Sequence, residues 1–188
     1  MTRIIAGRAG SITLEVPDAG TRPTSDRVRE SLFGALESAE ALQGAAVLDL
    51  YAGSGALGLE AVSRGAASAD LVEKSPRAAA IVERNAAKVA KSVGRDAVIR
   101  VHRSPVSAFL GGARGPFDVV FLDPPYDLDE GELTHALALL LPSLAPGATI
   151  IVERAARSPR PAAPDGLEHV RDKKYGDTAL WWMRVTER

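Results

Sequence analysis

The chain has 188 residues, 46% of them hydrophobic and 25% charged, with a net charge of −1. That length suits one globular domain with its own core, and the charge balance alone points to no polyanionic partner. The absence of cysteine excludes a disulfide framework, cysteine-ligated zinc and a thiol nucleophile, and His102, His135 and His169 lack ligand-like spacing, so no metal site is expected.

The N-terminal MTRIIAGRAG lacks the apolar segment of a secretion signal. No apolar run reaches the roughly 20 residues that cross a bilayer, so no membrane association and a cytoplasmic location are expected. Ile4-Ile5 and Ile12 to Val16 are short β-prone runs separated by the turn-forming stretch Gly7 to Ser11, which predicts a hairpin. Residues 1–22 are accordingly read as a small N-terminal β-hairpin extension and residues 23–188 as the main domain. Ser25 or Asp26 is placed to cap a helix reaching about Glu40, with Val28, Leu32, Leu36 and Ala39 on one apolar stripe and Arg27 and Arg29 off it.

Short apolar runs then alternate with helical stretches. Strands are predicted at Ala46–Leu50, Ala69–Glu73, Val98–Val101, Phe117–Leu122 and Thr149–Glu153, and helices at Leu57–Arg64, Pro76–Ser92 and Glu130–Leu141. Continuous apolar strands separated by helices imply a parallel sheet covered on both faces. Leu167–Lys174 and Thr178–Val185 follow with only Tyr175-Gly176-Asp177 between them, so they should pair as an antiparallel hairpin. On that hairpin Trp181 and Trp182 should point to opposite faces. The expected fold is α/β: a mostly parallel seven-stranded sheet ending in an antiparallel C-terminal hairpin, plus the N-terminal hairpin.

Two motifs carry chemistry. The first is Asp49-Leu50-Tyr51-Ala52-Gly53-Ser54-Gly55-Ala56-Leu57-Gly58, which follows a predicted strand and opens a predicted helix. Gly53, Gly55 and Gly58 form G-x-G-x-x-G, a pattern that lets the backbone turn sharply and approach a ligand. Glu73 ends the next strand, at a spacing that suits a carboxylate accepting hydrogen bonds from ribose hydroxyls. Asp49 stands where a dinucleotide enzyme has a small apolar residue, because pyrophosphate repels a carboxylate. An ammonium attracts one. The pair therefore favours S-adenosylmethionine (SAM), which has no phosphate but carries an amino-acid head and a sulfonium. For the glycines alone, the alternative account is a tight turn with Glu73 as a solvated strand end, which the strand-loop-helix context and the acid disfavour.

The second motif is Asp123-Pro124-Pro125-Tyr126, directly after the fourth strand of the alternating region. Two prolines stop the ladder and stiffen the loop, and the carboxyl ends of such strands form the ligand crevice. An exocyclic base amine is a weak nucleophile because its lone pair is delocalised into the ring. Asp123 and the Pro124 carbonyl can accept its hydrogens, and Tyr126 offers a face for stacking the base. Aligned attack on the SAM methyl then needs no strong general base. Read alone, the tetrapeptide is equally a stiff turn with a capping aspartate.

Taken together, these motifs and the stretch Arg22-Pro23-Thr24-Ser25-Asp26-Arg27-Val28-Arg29-Glu30-Ser31-Leu32-Phe33, with Arg3-Ile4-Ile5-Ala6-Gly7, make the chain similar to the RsmD family of 16S ribosomal RNA (guanine-966-N2)-methyltransferases. The resemblance runs over nearly the whole chain. It implies a Rossmann-like SAM-dependent methyltransferase fold, methyl transfer to guanine N2 in 16S rRNA, and a substrate that is an assembled or partly assembled small ribosomal subunit. It implies cofactor contacts by Asp49, Tyr51, Ala52, Gly53, Ser54, Gly55, Gly58, Glu73, Lys74, Ser104, Pro105, Val106 and Asp123. Asp123, Pro124, Pro125 and Tyr126 become the catalytic group. Arg3, Arg8, Arg22, Thr24, Arg27 and Arg29 become RNA contacts, with Arg22 or Thr24 also near SAM. The chain departs from the family in having one arginine in Arg8-Ala9-Gly10-Ser11-Ile12-Thr13, and Ser104-Pro105-Val106 where Asn or Asp is usual; Ser104 or the backbone is assigned to the adenine amino group. The alternatives are another amino methyltransferase, acting on adenine N6 or a protein glutamine, a non-catalytic SAM- or nucleotide-binding module, and a nicotinamide oxidoreductase, which Asp49 disfavours.

Overall fold

A computed structural model describes residues 1–18, 23–112 and 115–187. The elements in chain order are β1 (Thr2–Arg3), β2 (Thr13–Leu14), α1 (Asp26–Ser38), β3 (Ala46–Asp49), α2 (Ala56–Ser63), β4 (Ser68–Glu73), α3 (Pro76–Val93), β5 (Val98–Arg103), α4 (Val106–Leu110), β6 (Phe117–Leu122), α5 (Glu130–Leu140), β7 (Leu144–Ala155), β8 (Leu167–Tyr175) and β9 (Thr178–Val185). Ser25 caps α1, its hydroxyl accepting from the Val28 amide, and α1 closes at Ser38. Ser75 caps α3 in the same way ahead of Pro76.

The main sheet has seven strands in the order β5-β4-β3-β6-β7-β9-β8. β5, β4, β3, β6 and β7 are parallel, while β9 pairs antiparallel with both β7 and β8. The chain winds outward from β3 to β5, then crosses back to place β6 on the other side of β3. That reversal brings the ends of β3 and β6 together, and such a switch point is where open α/β sheets bind ligands. Helices α1, α2 and α3 pack on one face through Leu32, Phe33, Leu59, Val82 and Val89, against Val47, Leu71 and Phe121. Helices α4 and α5 cover the other through Phe109, Leu133 and Leu137, against Leu48, Val120 and Ile150. Trp182 joins the first layer and Trp181 packs against the second.

Two elements exceed the sequence expectation. β7 begins at Leu144, not Thr149, because pairing with β6 skips from Phe117–Leu144 to Val119–Thr149 and the irregularity accommodates Pro146 and Gly147. Helix α4 has five residues, too few to show a helical period. No helix among the described residues is long and apolar enough to cross a membrane.

The β1–β2 hairpin docks on α2 through a buried carboxylate. Glu60 is 0% exposed. It accepts from the amides of Ile5 (2.8 Å) and Ala6 (3.1 Å) and pairs with Arg64 at 2.8 Å and Arg29 at 3.6 Å. One turn on, the Ser63 hydroxyl accepts from the Ala9 amide and donates to the Ala6 carbonyl. Gly7 lies so close that a Cβ there would sit 2.0 Å from the Ser63 carbonyl oxygen. Ile4, Ala9 and Leu14 join the same buried layer as α1 and α2.

This docking corrects one expected RNA contact. Arg29 lies off the apolar stripe of α1, yet it is 1% exposed and held by Asp26 at 2.8 Å as well as by Glu60. It faces α2 and the hairpin and is too buried to serve as an exposed RNA contact.

Candidate active site

Four loops meet at the β3–β6 switch point. Asp49 ends β3 and is buried; its Oδ2 accepts from the Gly58 amide at 3.0 Å, while its Oδ1 is buried without a hydrogen-bond partner. A Cβ at Gly58 would lie 2.2 Å from a Leu71 methyl, so any larger residue there would make Leu71 shift. Gly53 and Gly55 take left-handed φ angles of 59° and 83° between them, turning the chain from strand to helix. Glu73 ends the neighbouring strand, and each of its oxygens accepts one backbone amide, Gly53 at 3.0 Å and Ser75 at 2.9 Å. The carboxylate is thereby fixed in orientation, with lone pairs left for a diol.

A cleft of about 710 Å³ opens across these loops. Its wall includes Tyr51, Gly53, Glu73 and Lys74 on one side and Asp123, Pro124, Pro125 and Tyr126 on the other. Pro105 and Val106 form its third side with Ser107. The Ser104 hydroxyl turns instead onto the Pro105 carbonyl at 3.0 Å, and Ser104 is not part of that wall. A recess of about 80 Å³ adjoins the cleft and shares Tyr51, Gly53 and Asp123 with it; Asp49, Ala52, Ser54 and Thr24 also line it. The hairpin side of the recess comes from Thr2, Val16 and Pro17. Gly55 and Gly58 shape the turn from behind.

Thr24, expected among the RNA contacts, lies inside the recess. Its hydroxyl is 2.8 Å from Glu153 Oε2 and 3.3 Å from Asp123 Oδ2. Glu153, on β7, was not singled out by any motif; it is 8% exposed, and a buried acid at a strand end is the only signal that marks it. Arg3 pairs with Asp26 and Arg8 with Asp96, both half exposed; Arg27 is exposed. Arg22 falls outside the described residues.

The recess gathers carboxyl groups, with Arg29 of α1 on its wall as well. Burial raises the Asp49 pKa to about 7, the Gly58 amide opposing and Glu73 adding to the shift. Burial also raises Asp123, helped by Glu153 and Asp49, and raises Glu153, with the Thr24 hydroxyl opposing both. Such a site is stabilised by a cation. The unpartnered Asp49 oxygen is placed for an ammonium, and the glycine turn and Glu73 are placed for a ribose, so these residues fit SAM. Because the Asp49 pKa is higher folded than unfolded, its ionisation lowers stability progressively from about pH 4 to its folded value of about 7. Each pKa unit corresponds to ~1.4 kcal/mol, so the cost is on the order of a few kcal/mol. Asp49→Asn should therefore raise the ligand-free unfolding midpoint at about pH 8, by less at about pH 5, and still weaken SAM binding about tenfold or more. Thermal unfolding with and without SAM checks this; a variant equally destabilised at both pH values would refute the assignment.

Sheet order, glycine turn and carboxylate-lined recess together define a SAM-dependent methyltransferase of Rossmann-like fold. Residues 2–184 match the family model described as Conserved hypothetical protein 95. The chain belongs to that family, the RsmD family. It is 39% identical to Ribosomal RNA small subunit methyltransferase D of Escherichia coli strain K12, over 94% of this chain and 86% of that one. It is 35% identical to the protein of the same name from Haemophilus influenzae, over 93% and 89% of the two chains. The solved structure of the Escherichia coli protein yhhF superposes with a TM-score of 0.84 at 37% identity, covering 97% of both chains.

Proposed function

We propose that this methyltransferase acts in the cytoplasm on the exocyclic N2 amine of a guanine in 16S rRNA, within an assembled or partly assembled small ribosomal subunit. The observation that carries the reading is the shared wall: Asp123 lines both the cleft bounded by Glu73 and the recess holding Asp49. SAM bound there supplies a methyl group on a sulfonium. Asp123 and the Pro124 carbonyl then receive the amine hydrogens and orient its lone pair, while the exposed Tyr126 ring stacks the base. Similarity to enzymes named for small-subunit rRNA, over more than nine-tenths of this chain, supports the substrate.

A net charge of −1 suits a substrate presented partly by ribosomal protein, where less affinity comes from phosphate neutralisation. Exposed Arg3, Arg8 and Arg27, with Arg22 of the same N-terminal stretch, are the basic contacts of this reading. Mass spectrometry of 16S rRNA from cells lacking the gene should show one N2-methylguanine missing, and purified enzyme with SAM should restore it on their small subunits. A full complement of methylguanines in those cells would overturn the substrate.

A further inference from the structure

Alkylation leaves the amine with one proton too many, and Asp123 is the first group to meet it. The Thr24 hydroxyl stands between Asp123 and Glu153, at 3.3 and 2.8 Å. A threonine hydroxyl has one hydrogen and cannot donate to both carboxylates. Both contacts are satisfied only when one carboxyl group is itself protonated and donates to the threonine oxygen. Glu153 is buried, and Thr24 is its hydrogen-bond donor.

We propose that Thr24 and Glu153 form a proton exit from Asp123, carrying the amine proton released by methyl transfer into the interior and away from the base. This rests on the amine-methylation reading of the site. The N–C bond forms as the S–C bond breaks, leaving a cationic methylated amine and a neutral thioether. The charge of bound SAM expels the one proton that the pair shares in the ligand-free protein, so both carboxyl groups start ionised and the amine passes its proton to the Asp123 carboxylate. Asp123 donates through Oδ2 to Thr24 Oγ1 as the threonine hydrogen passes to Glu153 Oε2. Asp123 returns to its ionised form, Thr24 is unchanged and Glu153 ends neutral, which restores the one shared proton of the ligand-free pair when product leaves.

Leu180 of β9, paired opposite Glu153 in the sheet, is apolar, and the charges of Glu153 and Asp49 both bear on Asp123, from which the proton leaves. Arg29 of α1, on the wall of the recess, is engaged by Asp26 and Glu60. Burial raises the Glu153 pKa, which strengthens it as a proton acceptor. Thr24 and Glu153 act through Asp123 and do not touch the base, so they are positioning residues.

The test uses the full chain with SAM, small subunits from cells lacking the gene, and the variants Thr24→Val, Thr24→Ser and Glu153→Gln. Three readouts are taken: the single-turnover transfer rate, SAM affinity by calorimetry, and the infrared carbonyl band of a protonated carboxyl group in the ligand-free protein at neutral pH. Thr24→Val and Glu153→Gln should slow transfer by about 10- to 100-fold, with SAM affinity within about threefold of wild type. Thr24→Ser should recover the rate lost in Thr24→Val. Wild type should show the protonated-carboxyl band and Glu153→Gln should lose it. Glutamine still accepts from Thr24, so wild-type transfer by Glu153→Gln would reduce Glu153 to a structural acceptor and overturn the exit. So would a Thr24→Ser variant as slow as Thr24→Val, or a loss of SAM affinity matching the loss of rate. Wild-type enzyme that leaves the subunits unmethylated would overturn the substrate instead, and the infrared band would still decide whether the shared proton exists.

Discussion

Asp123→Ala is expected to lower methyl transfer by at least about 10²-fold while changing SAM affinity by no more than about threefold. Asp123 stands on the wall common to the cleft and the recess, and the Asp49 and Glu73 carboxylates that fit SAM are left intact. The variant should also fold at least as well as wild type at neutral pH. Burial, Glu153 and Asp49 all raise the folded pKa of Asp123, so its ionised form costs stability that alanine does not. That combination separates loss of alignment from misfolding. Asp123→Asn keeps an oxygen acceptor without the charge and should fall between the two. Transfer by Asp123→Ala at a rate near wild type would remove this residue from the chemistry, and a parallel loss of SAM binding would make it a cofactor ligand only.

Glu60→Ala should be the most destabilising single change in the hairpin region, by about 3–5 kcal/mol, the usual cost of leaving a buried ion pair without one partner. It strips a partner from Arg29 and Arg64 and from the amides of Ile5 and Ala6. Both guanidinium groups are nearly inaccessible, with side chains 1% and 6% exposed, so water cannot substitute. A small domain is held by ~5–15 kcal/mol in all, so the variant should be marginal at 37 °C. Urea unfolding measures the loss, and limited trypsin digestion should cut first after Arg3 or Arg8 as the hairpin lifts. Since Thr2, Val16 and Pro17 wall the recess, methyl transfer should fall as well. A cost below about 1 kcal/mol, the range of an exposed pair, would contradict the anchoring role.

Legibility differed sharply between the two halves of the site. The glycine turn and its acid are local: Asp49 to Gly58 is one continuous segment, and Glu73 lies at the end of the next strand, so spacing alone locates both. The Asp-Pro-Pro-Tyr lip is a tetrapeptide and equally visible. Glu153 and Thr24 carry no comparable pattern. Thr24 sits 99 residues from Asp123 and 129 from Glu153, and each looks like an ordinary capping or strand-end residue until the chain is folded. Arg29 shows the opposite failure. Helical periodicity marks the apolar stripe of α1, but it does not reveal that the adjoining face is also covered, by α2 and a hairpin that supplies a buried acid.

Alternating apolar strands and helices, the glycine turn and the acid one strand later thus determined an α/β sheet with a SAM-type pocket, because backbone geometry and side-chain periodicity act over a few residues at a time. The tertiary structure alone decided that β6 lies beside β3, which faces the stiff lip toward that pocket. It also decided that the hairpin is pinned by Glu60 and that a threonine joins the carboxyl groups of Asp123 and Glu153. Those outcomes depend on burial and on contacts between distant segments, where the cost of an unpaired charge, not local propensity, selects the partner.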